Sequence, residues 1–403
     1  MAERLSGLDT SFLHLERAGA HMHVASTMIF EGPPPGEDEL REHVRSRLHL
    51  VPRFRQKLRF VPFGQGRPVW VDDPHFNLEY HVRRTALPAP GSDEQLRNLA
   101  ARIFSQQLDR SKPLWELWLV EGLRDGRFAM IGKSHHALVD GISGVDITTV
   151  LFDLEREPPG PPPAPPPWIA RPEPTDAELL AEALRERLTS PREIARGVRA
   201  ALRGPRQVVR SVADTAKIIG AGMGAPNSVF NVEIGPHRRF AMAQTRLADL
   251  KRVKDRHEAT VNDVILAIVA GALGKYLRAR GHDTEGLELR AMVPVSVRTA
   301  DEVGALGNRI SAMMAPLPVW CEDPAERVRL MRERMGDLKS SRQAVGAEIL
   351  TRVTDFTPPT IVSQAARLQP AQRFFNLVVT NVPGPQFPLY VLGRQMESIF
   401  AMV

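Results

Sequence analysis

Two rhythms of hydrophobic and polar positions run along this chain. Alternation with period two, or a short apolar run between turn residues, predicts strands at His23–Gly32, Trp115–Leu123 and Arg127–Ser134, and a paired strand region at Arg67–Asp73 and Asn77–Arg84. Apolar residues three and four apart predict helices at Glu37–Leu50 and Asp93–Gln107. The mixture then returns. A long basic helical region from about Asp176 to Ile219 is followed by a helix at Thr260–Gly281 and strands at Leu287–Val297 and Asn308–Val319. A helix at Pro324–Ser340 and a strand at Phe374–Pro385 complete the set.

Between the two stretches lies PPGPPPAPPPWIARPEP, Pro158 to Pro174, with ten prolines. Proline removes a backbone donor and fixes φ, so this segment is expected to run stiff and extended over the surface. Strand and helix alternate on both sides of it and no short-period repeat is visible. The pattern therefore predicts a mixed α/β (α+β) fold of two sandwich-like domains joined by a crossover. The expected boundaries are 1–157 for the first domain, 158–177 for the proline-rich linker, 178–225 for the basic helical crossover and 226–403 for the second domain.

Composition narrows the setting. With 403 residues, 43% hydrophobic and 25% charged, the chain can bury a real core. No run approaches the roughly 18 to 20 apolar residues that span a bilayer, and MAERLSGLDTSFLHLE lacks the basic-then-apolar order of a signal peptide, so a cytoplasmic protein is expected. The single cysteine, Cys321, excludes an internal disulfide framework and a cysteine zinc cluster, and its acidic neighbours make it a poor nucleophile. A net charge of +6 favours anionic partners without choosing among nucleic acid, a membrane surface and phosphate-bearing cofactors. Arg196, Arg199, Arg203, Arg206 and Arg210 recur three and four apart, with apolar residues between them and Pro205 interrupting. That pattern fits an anionic lipid surface or a solvated face bridging two domains.

The candidate chemistry lies in GKSHHALVDG, Gly132 to Gly141, where a strand ends on two adjacent histidines and an Asp-Gly turn follows. Successive strand residues point to opposite faces, so one of His135 and His136 is expected to face a cavity while the other packs. A lone histidine at a strand end reads as structural; the doubling together with Asp140 and Gly141 points to chemistry. Two histidines and an aspartate are acceptable metal ligands, but adjacent histidines on a strand diverge and the helical HExxH spacing is absent. No Gly-x-Ser-x-Gly elbow or Walker loop is present, which argues against a covalent intermediate on a serine nucleophile. Asn262 and Asp263 read as a helix cap. Trp115 and Trp118 in PLWELWL read as strand and core, and TNVPGP as a tight turn.

HHALVDG resembles the HHxxxDG signature of the CoA-dependent acyltransferase superfamily, which includes chloramphenicol acetyltransferase-like enzymes and peptide-synthetase condensation domains. The wider resemblance is to the bacterial wax ester synthase/diacylglycerol acyltransferase family. It is carried by LSGLDTSFLHLE, VPRFRQKL, LDRSKPLWELWLVEGL, GPHRRFA, TVNDVILA, MVPVSVR, GNRIS and TNVPGP in this order, and covers nearly the whole chain. It implies two chloramphenicol-acetyltransferase-like sandwich domains with the active site at their interface, and transfer of a fatty acyl group from acyl-CoA to the hydroxyl of diacylglycerol or a long-chain alcohol. Acyl-CoA would be a co-substrate, with no further cofactor and no metal. The implied partners are a peripheral membrane or lipid-droplet surface, not nucleic acid, with a homodimer left open.

Within that resemblance His136, the histidine of the His-x-x-x-Asp core, is the expected general base, since a neutral imidazole can take the hydroxyl proton and return it to the CoA thiolate. His135 lies one position outside that core. Asp140 is expected to fix the loop by pairing with an arginine, with Arg55 as the candidate, and Gly141 to let the backbone turn and leave room for the acyl chain. Asn262 and Asp263 are implied to reach the active centre from the second domain; the sequence does not identify the oxyanion donor, for which backbone N–H groups and Asn262 are both open. The runner-up readings are a condensation-type or polyketide-associated acyltransferase using a carrier-bound acyl group, and a non-catalytic lipid-surface protein. Two departures from the family pattern stand out. Ser6-Gly7-Leu8-Asp9 replaces the usual Ser-Pro-x-Asp, and Val403 is followed by none of the residues that relatives carry. An incomplete second domain is thus expected, with PLYVLGRQMESIFAMV leaving an open strand edge.

Overall fold

The strands of this computed structural model are, in chain order, β1 (Glu3–Arg4), β2 (His23–Phe30), β3 (Gln56–Arg59), β4 (Val69–Asp72), β5 (Val82–Ala86), β6 (Trp115–Glu121), β7 (Phe128–His135), β8 (Glu288–Ser296), β9 (Ile310–Pro318), β10 (Leu377–Val378), β11 (Tyr390–Val391) and β12 (Arg394–Met402). The described residues are 3–16, 19–139, 150–158, 167–189, 225–296, 310–340, 375–382 and 384–402. Asp140, Gly141 and the Arg196–Arg210 stripe lie outside them, as does the expected helix beyond Thr189.

The largest sheet has the order β11-β12-β2-β7-β6-β5, antiparallel except for the parallel pair β5–β6. β7 is buried along its whole length because both of its faces are covered. Phe128 and Met130 pack with Leu40 and Val44 of the helix Glu37–Arg47, while Ala129 and Ile131 meet Leu96, Ala100 and Ile103 of the helix Asp93–Ser105. A strand covered on both faces reads as a nearly continuous apolar run, which is why FAMI was legible as one. A small sheet, β1-β4-β3, lies apart from it. The described end of the proline-rich segment docks beside that sheet: Arg171 grips Asp72 through N and Nε, both 3.1 Å, and Trp168 lies under the Arg55 guanidinium at 4.6 Å.

Residues 77–84 correct the expected strand pairing. Asn77 accepts from Glu79 N at 2.9 Å and so starts a one-turn helix, Leu78–His81, leaving only Val82–Ala86 extended. An asparagine side chain offers the backbone this local bond in competition with a ladder. β4 pairs instead with β3 and β1.

The end of the chain corrects a second expectation. β12 does not join the second domain's sheet; it runs antiparallel to β2 in the first domain's sheet, Met402 opposite Ala25 and Phe400 opposite Thr27, while β11 covers its other side only at Arg394 and Gln395, so among the described residues an edge stays open along Glu397–Met402. The backbone groups on its β2 side thus find partners more than 360 residues away in sequence.

The second core joins the helices Val261–Ala279 and Pro324–Ser340 to β8, β9 and β10. Among the described residues of the expected strand Phe374–Pro385, only β10 is in a ladder. From this unit GPHRRFA reaches back: Arg238 N donates to Ser105 Oγ at 2.8 Å and Phe240 packs against the Leu96–Ile103 cluster. Two helices not anticipated from the pattern, Gly7–Leu15 and Leu247–Arg256, are also present. Among the described residues no single helix is long and apolar enough to cross a membrane.

Candidate active site

The two histidines stand in different environments because the strand stops between them, His136 opening the helical turn that follows β7. His135, its last residue, is 1% exposed and sits directly opposite His23 of β2. Its Nδ1 accepts from Ala137 N at 3.0 Å, which leaves the neutral ring's proton on Nε2, and Nε2 lies 3.5 Å from Glu16 Oε2. At that length the contact is charge–dipole attraction rather than a full hydrogen bond. His136 opens the turn His136–Val139. Its backbone N donates to Met22 O at 2.8 Å, and its half-buried ring stacks on Phe12 with centroids 4.7 Å apart.

The chain beyond the motif is tied down at Leu151 and Asp153. His43 Nε2 meets Leu151 O at 2.8 Å, Arg47 donates to Asp153 Oδ1 at 2.8 Å, and Asp153 exchanges backbone bonds with Tyr390. Arg55 stands over Trp168, and its pairing with Asp140 lies outside the described residues.

In the second unit Asp263 closes a capping box with Thr260: Thr260 N donates to Asp263 Oδ2 at 2.8 Å and Asp263 N to Thr260 Oγ1 at 3.2 Å. Thr260, not Asn262, is thus the N-cap. Asp263 is 3% exposed, and its second oxygen, Oδ1, has no hydrogen-bond partner among the described residues. Asn262 accepts from Asn381 Nδ2 at 3.4 Å, so the Asn-Asp pair and TNVPGP meet in space. Trp115 is core, its Nε1 donating to Phe54 O at 2.8 Å. Cys321 is buried.

The sequence reading passed over Glu16. It is buried at the end of the helix Gly7–Leu15, where Arg110 pairs with its Oε2 and Gln107 donates to Oε1 at 3.1 Å. His21 and His23 approach Oε1 at 3.8 and 3.7 Å. Burial works against its charge, but the contacts with His135 and Arg110 outweigh burial and hold the carboxyl down at about 2. The available signal was a lone acid closing the apolar run SFLHLE, beside His21 and His23 at the period-two spacing that puts both on one face.

The mixed α/β architecture is that of the acyltransferase and condensation-domain fold. The first condensation domain of the calcium-dependent antibiotic synthetase superposes with a TM-score of 0.50 over 100% of this chain and 84% of that one, at 17% identity, which speaks to fold alone. The family is narrower. The wax ester synthase/diacylglycerol acyltransferase catalytic domain matches residues 5–265 and the WS/DGAT C-terminal domain residues 306–403, so the chain belongs to the wax ester synthase/diacylglycerol acyltransferase family and is an acyltransferase. It is 32% identical over 410 residues to the Mycobacterium tuberculosis protein named probable diacylglycerol O-acyltransferase tgs1, covering 98% of this chain and 84% of that one. The tgs2 protein of the same organism is 33% identical over 412 residues, covering 98% and 87%. The wax ester synthase/diacylglycerol acyltransferase of Marinobacter aquaeolei VT8 superposes with a TM-score of 0.68 at 27% identity, over 99% of this chain and 86% of that one.

Proposed function

We propose that this chain moves a fatty acyl group from acyl-CoA to the hydroxyl of diacylglycerol or a long-chain alcohol, with His136 as general base and without an acyl-enzyme. The hydroxyl oxygen attacks the thioester carbonyl as His136 takes its proton; the intermediate collapses, the C–S bond breaks, and the imidazolium returns the proton to the departing CoA thiolate. The observation that carries this reading is the unequal placement of the two rings. His136 is half-buried, with its backbone tied to Met22 and its ring oriented by Phe12, whereas His135 is sealed against Glu16.

Asp140 and Gly141 then shape the loop behind the base, and Asn262 and Asp263, with Asn381 beside them, stand as candidates on the second wall. Acyl-CoA is the co-substrate and no cofactor enters the scheme. Substrates that live in lipid place the enzyme at a membrane or lipid-droplet surface on the cytoplasmic side. The names of the mycobacterial relatives support diacylglycerol as acceptor, and that of the Marinobacter enzyme keeps the fatty alcohol beside it.

The test is initial-rate kinetics of the purified chain with palmitoyl-CoA offered separately with hexadecanol and with diacylglycerol. Direct transfer needs both substrates bound together, so double-reciprocal lines should intersect. Parallel lines would indicate a covalent acyl-enzyme and overturn the scheme.

A further inference from the structure

The N-terminal helix Gly7–Leu15 and its capping residue touch both histidines at once, Phe12 on the ring of His136 and Glu16 at Nε2 of His135. We propose that Glu16 is a positioning residue for acyl transfer: anchored by Arg110, its carboxylate fixes the ring of His135, which through Ala137 N sets the turn that presents His136. This rests on the reading of His136 as base and adds to it the residue that aims the base.

The chain of contacts runs one way. Arg110 donates through Nε at 3.1 Å and through Nη2 to Glu16 Oε2, and through Nη2 to Leu13 O at 3.2 Å, so the arginine closes both the carboxylate and the helix end. The carboxylate then faces Nε2 of His135, the one ring nitrogen still bearing a proton once Nδ1 has accepted from Ala137 N. Because Ala137 follows His136 directly, a turn of the His135 ring would release the N–H that holds the backbone on the far side of the base. His23 packs edge-on against His135 with centroids 5.9 Å apart and stacks on His21 at 5.2 Å, walling the ring from the side. An anion can accept from Arg110 and Gln107 with both oxygens while attracting the imidazole nitrogens of His135, His23 and His21 that face it at 3.5–3.8 Å. Replacing the carboxylate by an amide turns one of its acceptors into a donor facing arginine and imidazole N–H groups.

Glu16→Gln keeps the shape, and the half-exposed side chain of Arg110 can be covered by water, so the full chain should fold. A displacement of a catalytic group by about 1 Å can cost on the order of 100-fold. Glu16→Gln should therefore lower kcat with palmitoyl-CoA and diacylglycerol about 100-fold, leave KM for palmitoyl-CoA within about two-fold, and lose less when the replacement is Asp. The ring-nitrogen NMR signals of His135 should show a single Nε2–H tautomer in the wild type and averaging in Glu16→Gln. An unchanged kcat, a loss confined to KM, or an unchanged tautomer signal would overturn the proposal. If Glu16→Gln does not fold, the same two readouts on Glu16→Asp decide. The reading of His136 fails separately, by retained activity of His136→Ala, while the His135 tautomer tests Glu16 whatever the base is.

Discussion

Thr260 and Asp263 form a reciprocal cap that closes the N-terminus of the helix Val261–Ala279. Thr260→Ala removes the oxygen that accepts from Asp263 N, and losing such a cap costs about 1 kcal/mol. A midpoint shift of that size in chemical denaturation, with an unchanged slope, is the expected result; an unshifted midpoint would mean the helix end is held by something else. Individual residues were unevenly legible. A cap was readable from TVND because capping is local, though it falls on Thr260. Strand alternation predicted different surroundings for His135 and His136, but the strand stops at His135 and the helical turn that begins at His136 is what separates them. Glu16 was passed over because its contacts are with Arg110, 94 residues away, and with His135, both brought to it only by folding.

Elements with one clear period, such as β8 and the helix Val261–Ala279, were readable because each buries a face that its own spacing defines, and β7 because its two covered faces make an unbroken apolar run. Residues 77–81 were misread because an Asn cap outweighed weak alternation, and β12 because no local signal says which of two sheets a strand joins. Gly274 is an element-scale feature of the same kind. Gly to Ala within a helix ordinarily gains up to about 1 kcal/mol, but a Cβ at Gly274 would overlap Val319 O, a backbone atom that cannot swing away. Overpacking costs about 1–3 kcal/mol, so Gly274→Ala should lower stability in a thermal melt. A rise would show that β9 and its following turn can move off the helix.

For the whole molecule, buried histidines set the response to acid. His23 is pushed down to about 3 by burial and then by the charge of Lys133, and His81 to about 4 by burial. Between those values and the ordinary 6.5 the unfolded chain holds protons that the folded chain refuses, so stability falls as pH drops below about 6.5, by up to about 1.4 kcal/mol per pH unit for each. Glu16, held at about 2, adds stability above its ordinary 4.5 that disappears as pH falls toward 2. The melting temperature should therefore decline steadily from about pH 7 to pH 4, and a flat profile would contradict the burial of these rings. The two-unit architecture was legible from the proline-rich segment and the repeated strand–helix alternation. The return of β12 into the first sheet and of GPHRRFA onto the Leu96–Ile103 cluster was not, because both are pairings over long sequence separations.

The central claim, that His136 and not His135 takes the proton, is tested most directly by the rate of ester formation from palmitoyl-CoA in His136→Ala, with the fold checked by its melting curve. Loss of a general base forfeits about 10²- to 10⁴-fold, and that loss in a folded protein, exceeding the loss in His135→Ala, is the result expected. A His136→Ala enzyme within about tenfold of wild type, or a larger loss in His135→Ala, would contradict it.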